Sequence, residues 1–277
     1  MKRLSLRILS IIAVASAAIS LALRIISLFF FYDKIGYYQT GAPLPIIANI
    51  LFGASIAFFL IAAIFSVSKE EKITAPNKIA QYASLLPMGA IIFHVIRILM
   101  GSFNDTAVNK YVMLLSGVAA AVFFFLLYFA KQPNLATIYC GLGALIYVFF
   151  NWVFAYFDFF IPLNSTDKIF FYIACAGAIL FIFNEICACY GTVRSRFYYF
   201  SLFSAIITLC VGSVASLVGF ACGLFKSYIT LEADIFLLSL LIYATVRLIT
   251  LLRAPVSKQE VPITTEKAQE NDENESE

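Results

Sequence analysis

The chain has 277 residues, of which 62% are hydrophobic and 13% charged, with a formal net charge of +3. A soluble domain carries about 25% charged residues, so this composition excludes an ordinary water-soluble globule. The small net charge says little by itself, because the acidic C-terminal stretch offsets basic loops; no nucleic-acid partner is expected.

The apolar residues come in long blocks rather than stripes. A helix needs about 20 such residues to cross roughly 30 Å of hydrocarbon. On that criterion the spans are residues 8–31, 44–67, 79–100, 110–130, 135–158, 169–190, 198–222 and 235–252. The expected fold class is all-α: an integral membrane bundle of about eight transmembrane helices filling residues 1–253. A β-barrel would instead show alternating segments of about 10 residues, and none is visible. The connections are too short for a soluble domain, since a core needs at least about 40 residues.

Before the first span stand Lys2, Arg3 and Arg7, followed by small residues from Ala13 to Ala18. This layout is shared with secretory signals, but the apolar run continues to Phe31, so an uncleaved anchor is expected. With the N-terminus inside, the inner side collects Lys2, Arg3, Arg7, Lys69, Lys72, Lys78, Lys131, Arg194, Arg196, Arg253 and Lys258. The outer side collects Lys34, Lys110, Lys168 and Lys226. That asymmetry follows the positive-inside rule and predicts a multi-pass protein of the cytoplasmic (inner) membrane with both termini inside.

Polar groups within spans are costly and are the first candidates for function. The first span carries Arg24 on a face with Ala13, Ala17, Ser20 and Ser27. The third carries His94 and Arg97 on a face with Pro87, Ala90 and Gly101, and Pro87 is expected to free a carbonyl and bend the helix. The fifth carries Asn151 and Asp158 on a face with Cys140, Ala144, Tyr147 and Ala155. Small and polar residues sharing a stripe mark faces turned towards protein. All five polar residues fall in the outer halves of their spans. If the stripes converge, two guanidinium groups, one imidazole and one carboxylate form a site of net positive charge. Guanidinium suits a carboxylate or phosphate ligand. The competing reading is structural: Arg24 pairs with Asp158, and Arg97 reaches the interface.

The first and fifth spans both end in an aromatic stretch followed by an aspartate, Asp33 and Asp158. An offset of four spans preserves direction, so the pattern allows a 4+4 parallel repeat of the kind some transporters have. In the sixth span lie Asn184 and Glu185, and in the eighth Arg247, at matching depth near the inner side. Glu185 and Arg247 are expected to form an ion pair that clamps the bundle, the alternative being a proton-coupling carboxylate. The seventh span is read as a packing helix, with small residues four apart at Gly212, Ser216, Gly219 and Gly223.

The six cysteines (140, 175, 187, 189, 210 and 222) all fall within predicted spans, which argues against a disulfide framework. Cys187 and Cys189 point to different faces of a helix, so no metal site is expected there. Residues 254–277 end in an acidic, apolar-free stretch expected to be a disordered cytoplasmic tail. No two-histidine metalloprotease motif, phosphate-binding glycine loop or nucleophile elbow is present. No cofactor is expected, and an enzyme, the third reading, would need an unfamiliar site with an activatable nucleophile or a metal in a cavity. In composition and topology the chain resembles small, Phe-rich inner-membrane proteins of bacteria, a resemblance that carries no site residues. The leading expectation is binding or transport of a small anionic solute. The alternative is a non-catalytic subunit or sensor that meets a protein partner at the inner loops or the tail. The lipid bilayer is the common partner of both.

Overall fold

The computed structural model describes residues 3–33, 37–39, 41–67, 73, 75–101, 107–129, 135–157, 165–224 and 231–253. The tail 254–277 and Asp158 lie outside them. The described residues form helices, with one isolated bridge between Tyr32 and Tyr38. Eight helical stretches are long and apolar enough to cross a membrane. Their ends lie within four residues of those expected from sequence, the eighth beginning at Leu231 rather than 235.

The helices are α1 (Arg3–Phe31), α2 (Pro43–Ser66), α3 (Lys78–Ala83), α4 (Leu85–Leu99), α5 (Ala107–Phe129), α6 (Leu135–Phe157), α7 (Thr166–Cys189), α8 (Ser195–Leu209), α9 (Ala215–Ala221) and α10 (Leu231–Arg253). A π turn, Cys210–Val214, joins α8 to α9 within the seventh span. Local chemistry sets the boundaries. Pro43 opens α2 at a position whose N–H would be orphaned in any residue. Asn77 caps α3 by accepting from the Ala80 amide, and Ser165 caps α7 by accepting from that of Lys168. The third span breaks at Ser84 between α3 and α4, three residues before Pro87, which cannot donate to the carbonyl of Ala83. The Ser84 hydroxyl is 2.7 Å from the Gln81 carbonyl and 3.0 Å from that of Phe124, fastening the break to α5.

The seventh span is the axis of the bundle. It is 78% buried, against 28% for the second span. Around it pack α1, α2, α7 and α10, while α4, α5 and α6 continue the ring from α10 to α7. Its hydroxyls are satisfied largely within the helix: Ser201 donates to the Tyr198 carbonyl and Ser213 to that of Leu209. Outward faces carry large apolar side chains such as Ile11, Phe30, Phe65 and Leu115. So much exposed apolar surface suits lipid and not water.

Two glycines of the seventh span differ in role. At Gly212 a Cβ would come within 2.5 Å of the Ala174 Cβ and 3.0 Å of the Phe170 carbonyl, so the π turn and α7 touch almost backbone to backbone. Gly223 has open space around it and a φ of +72°, so it ends α9 rather than packing a helix. Ser216 and Gly219 are buried. Gly212→Val is expected to lower stability by about 1–3 kcal/mol through overpacking. Gly53→Ala, in open space, serves as the control in the same thermal unfolding series in detergent.

Candidate functional site

Charged side chains meet inside the bundle at two depths, both on α7. Asp167 and Glu185 are 18 residues apart, five full turns, which places them on one face about 27 Å from each other. At the end of the bundle that the distribution of basic residues leads one to expect outside, here called the outer end, Arg24 of α1 is only 1% exposed. Its Nη2 donates to Asp167 Oδ1 at 2.8 Å and lies 3.3 Å from the Ser216 hydroxyl. Its Nη1 donates to the carbonyls of Val211 and, at 3.2 Å, Gly212. Both carbonyls belong to the π turn, where one extra residue disturbs the regular ladder. Irregular backbone at membrane depth is tolerated only where something else satisfies it, and Arg24 does so here.

Other groups complete this outer centre. The Ser216 hydroxyl is 2.7 Å from Asp167 Oδ1 and 2.8 Å from the Gly212 carbonyl. The guanidinium lies over the Phe170 ring, 4.0 Å from its centroid. After α1 the chain turns back on itself, the Asp33 amide donating to the Tyr37 carbonyl and that of Gln39 to Phe31, both at 2.8 Å. This brings Tyr32 and Tyr38 beside Arg24 and Asp167. Burial pushes the Tyr38 phenol up, and the neighbouring Arg24 charge pulls it back. Asp167 keeps 12% of its side chain exposed, so the centre touches the surface at the carboxylate.

The inner centre joins α7, α8 and α10. Arg247 Nε donates to Glu185 Oε1 at 2.9 Å, with both side chains 1% exposed. The Tyr198 hydroxyl donates to the same oxygen, and buried Tyr243 faces the same carboxylate. The guanidinium carbon of Arg247 is 5.7 Å from the Tyr198 ring centroid. Asn184, alongside, donates to the Leu180 carbonyl of its own helix at 2.9 Å.

The three polar stripes of the first, third and fifth spans do not converge on one site. α1 packs on α2, the seventh span and α10, whereas α4 packs on α3, α5 and α10. Arg97 pairs with Glu232 at the start of α10, at 3.1 Å, and its side chain is 47% exposed. His94 Nδ1 is 2.7 Å from the Tyr147 hydroxyl, and Asn151 donates to the Tyr147 carbonyl at 2.8 Å. The face periodicity identified which sides turn inward but not which helix each would meet. The partners Asp167 and Glu232 were missed because both lie at helix starts that apolar runs alone exclude. The Ser165 cap was the signal that could have extended the sixth span to include Asp167. Arg97→Ala is expected to change thermal stability by no more than about 1 kcal/mol, as for other exposed ion pairs.

Among the described residues, no group of three His, Cys, Asp or Glu side chains is placed to share a metal. Among the described residues, the fold is helical, with eight helices long and apolar enough to cross a membrane. Two buried ion pairs fasten α7 near either end, one to α1 and one to α10. Comparison with protein families, curated proteins and solved structures finds no match.

Proposed function

We propose that the chain is a multi-pass protein of a bacterial cytoplasmic membrane, both termini inside, and that it binds or moves a small anionic solute at Arg24. The observation carrying this reading is a guanidinium buried to 1% whose carboxylate partner still keeps 12% of its side chain exposed. An anion arriving at that surface would meet the charge by competing with Asp167 alone. Arg24 also holds the π turn of the central helix, so a change in its partners would be felt along the bundle axis. Arg97 and His94 lie on the α4 side and take no part in this centre. A 4+4 parallel origin would pair the third span with the seventh. These are now 39% and 78% buried, so a common ancestry would survive in direction more than in packing.

The test is reconstitution in proteoliposomes, with acetate, benzoate, phosphate and sulfate offered separately. Binding or uptake of one of them that is lost in Arg24→Ala supports the reading; binding or uptake that Arg24→Ala leaves intact contradicts it.

A second reading, a non-catalytic subunit or sensor, is favoured by a different observation: each buried guanidinium is already neutralised by a carboxylate of this chain. Its docking surfaces would be the inner loops and the tail. Arg196 is a poor candidate there, because its Nε already donates to the Val67 carbonyl at 2.9 Å, tying α8 to α2. A stoichiometric protein co-purifying in mild detergent, together with no response to anions, would favour this reading.

A further inference from the structure

Resting on the reading of Arg24 as an anion site, we propose that its ligand is a monocarboxylate, bound at the Nε–Nη2 edge in exchange for Asp167, with one proton taken up by Asp167. The geometry of the guanidinium selects that edge. Nη1 is committed to the carbonyls of Val211 and Gly212. Nη2 meets Asp167 and Ser216. Nε, although buried, makes no hydrogen bond of good geometry, and the Tyr38 hydroxyl stands beside the guanidinium. Asp167 therefore occupies one half of an edge that a planar carboxylate can take with both oxygens.

The charge balance selects a monoanion. Among the described residues, the ion pair at this centre is one guanidinium and one carboxylate, with the buried Lys168 following on α7. A dianion such as phosphate in its doubly charged form would leave negative charge uncompensated in a poorly solvated site. The surroundings select an organic acid. The guanidinium lies on the Phe170 ring, and the rings of Tyr32 and Tyr38, 6.1 Å apart, stand at the outer end. These rings suit an apolar or aromatic tail beside the carboxylate.

The same balance makes binding proton-linked. Two carboxylates cannot both stay ionised against one guanidinium. Among the described residues, the titratable groups facing Asp167 include Arg24 from α1 and Tyr32 and Tyr38 from the turn after it. From α9 it meets the Ser216 hydroxyl, and Lys168 follows it on α7. Asp234 of α10 lies near Cys175, two turns further along α7. As the ligand enters, a proton from the outer solution binds Asp167. The centre gains one negative and one positive charge, so its net charge stays unchanged. Linkage then requires the apparent affinity to rise as pH falls, about tenfold per unit for one proton.

The experiment is calorimetric titration of the full chain in detergent with benzoate, inorganic phosphate and sulfate, over about pH 6 to 8. Benzoate stays ionised throughout. The expected result is benzoate binding that strengthens about tenfold per pH unit downward, and pH-independent binding in Asp167→Asn, which keeps a hydrogen-bonding group without the charge. Binding of phosphate or sulfate but not benzoate, or a benzoate affinity flat with pH in the parent, overturns this inference and leaves the anion reading standing. Absence of binding by all three overturns both. If Asp167→Asn does not fold, the pH slope of the parent alone decides.

Discussion

Arg247→Met is expected to destabilise the folded bundle by about 3–5 kcal/mol, the usual cost of removing one member of a buried ion pair. The loss comes less from the missing contact than from what is left behind. Glu185, 1% exposed, would be left buried without its cation, facing the hydroxyls of Tyr198 and Tyr243. The double variant Glu185→Leu with Arg247→Met leaves no unpaired charge at this centre and is expected to recover much of the loss, as replacement of buried ion pairs by apolar residues often does. Unfolding in mixed micelles gives the four corners of the cycle. In that reference state the helices still sit in an apolar medium, so the coupling is read from the difference between single and double variants. A single-variant loss as small as that of Arg97→Ala would mean that the inner pair clamps nothing.

Arg24→Met is expected to cost a similar amount, about 3–5 kcal/mol, for a partly different reason. Arg24 satisfies carbonyls of the π turn as well as neutralising Asp167. Arg24→Lys separates the two roles. An ammonium can still face Asp167, but it lacks the rigid fork that reaches two carbonyls and a carboxylate at once. Its expected loss is intermediate, about 1.5–3 kcal/mol, the scale of one hydrogen bond to a charged group. Thermal unfolding of the three proteins checks the order. Equal losses for lysine and methionine would assign the whole effect to geometry, and no loss for lysine would assign it to charge.

Much of the fold was legible in the sequence because hydrocarbon thickness imposes a length on every span, and apolar runs report it directly. Depth was legible for the same reason. Glu185 and Arg247 stand at similar distances from the C-terminal ends of α7 and α10, and they meet at 2.9 Å. Neighbour relations were not legible, because a stripe such as Ala13, Ala17, Ser20 and Arg24 says that a face turns inward without naming what it faces. Charged helix starts were hidden for a further reason: Asp167, Glu232 and Asp234 lower local hydropathy, so apolar runs begin after them although the helices begin before. The π turn had no signal either, since Gly212 and Ser216 read equally well as small residues on a regular packing face.

The most direct test of Arg24 as the anion site is thermal stability of the purified protein in the presence of each small anion, with Arg24→Met and Arg97→Met alongside. A ligand at about 100 times its dissociation constant adds about 2.7 kcal/mol to the native state. Stabilisation by the same anion in the parent and in Arg97→Met, and its loss in Arg24→Met, is the predicted result. Stabilisation that persists in Arg24→Met, or that disappears in Arg97→Met instead, would contradict it.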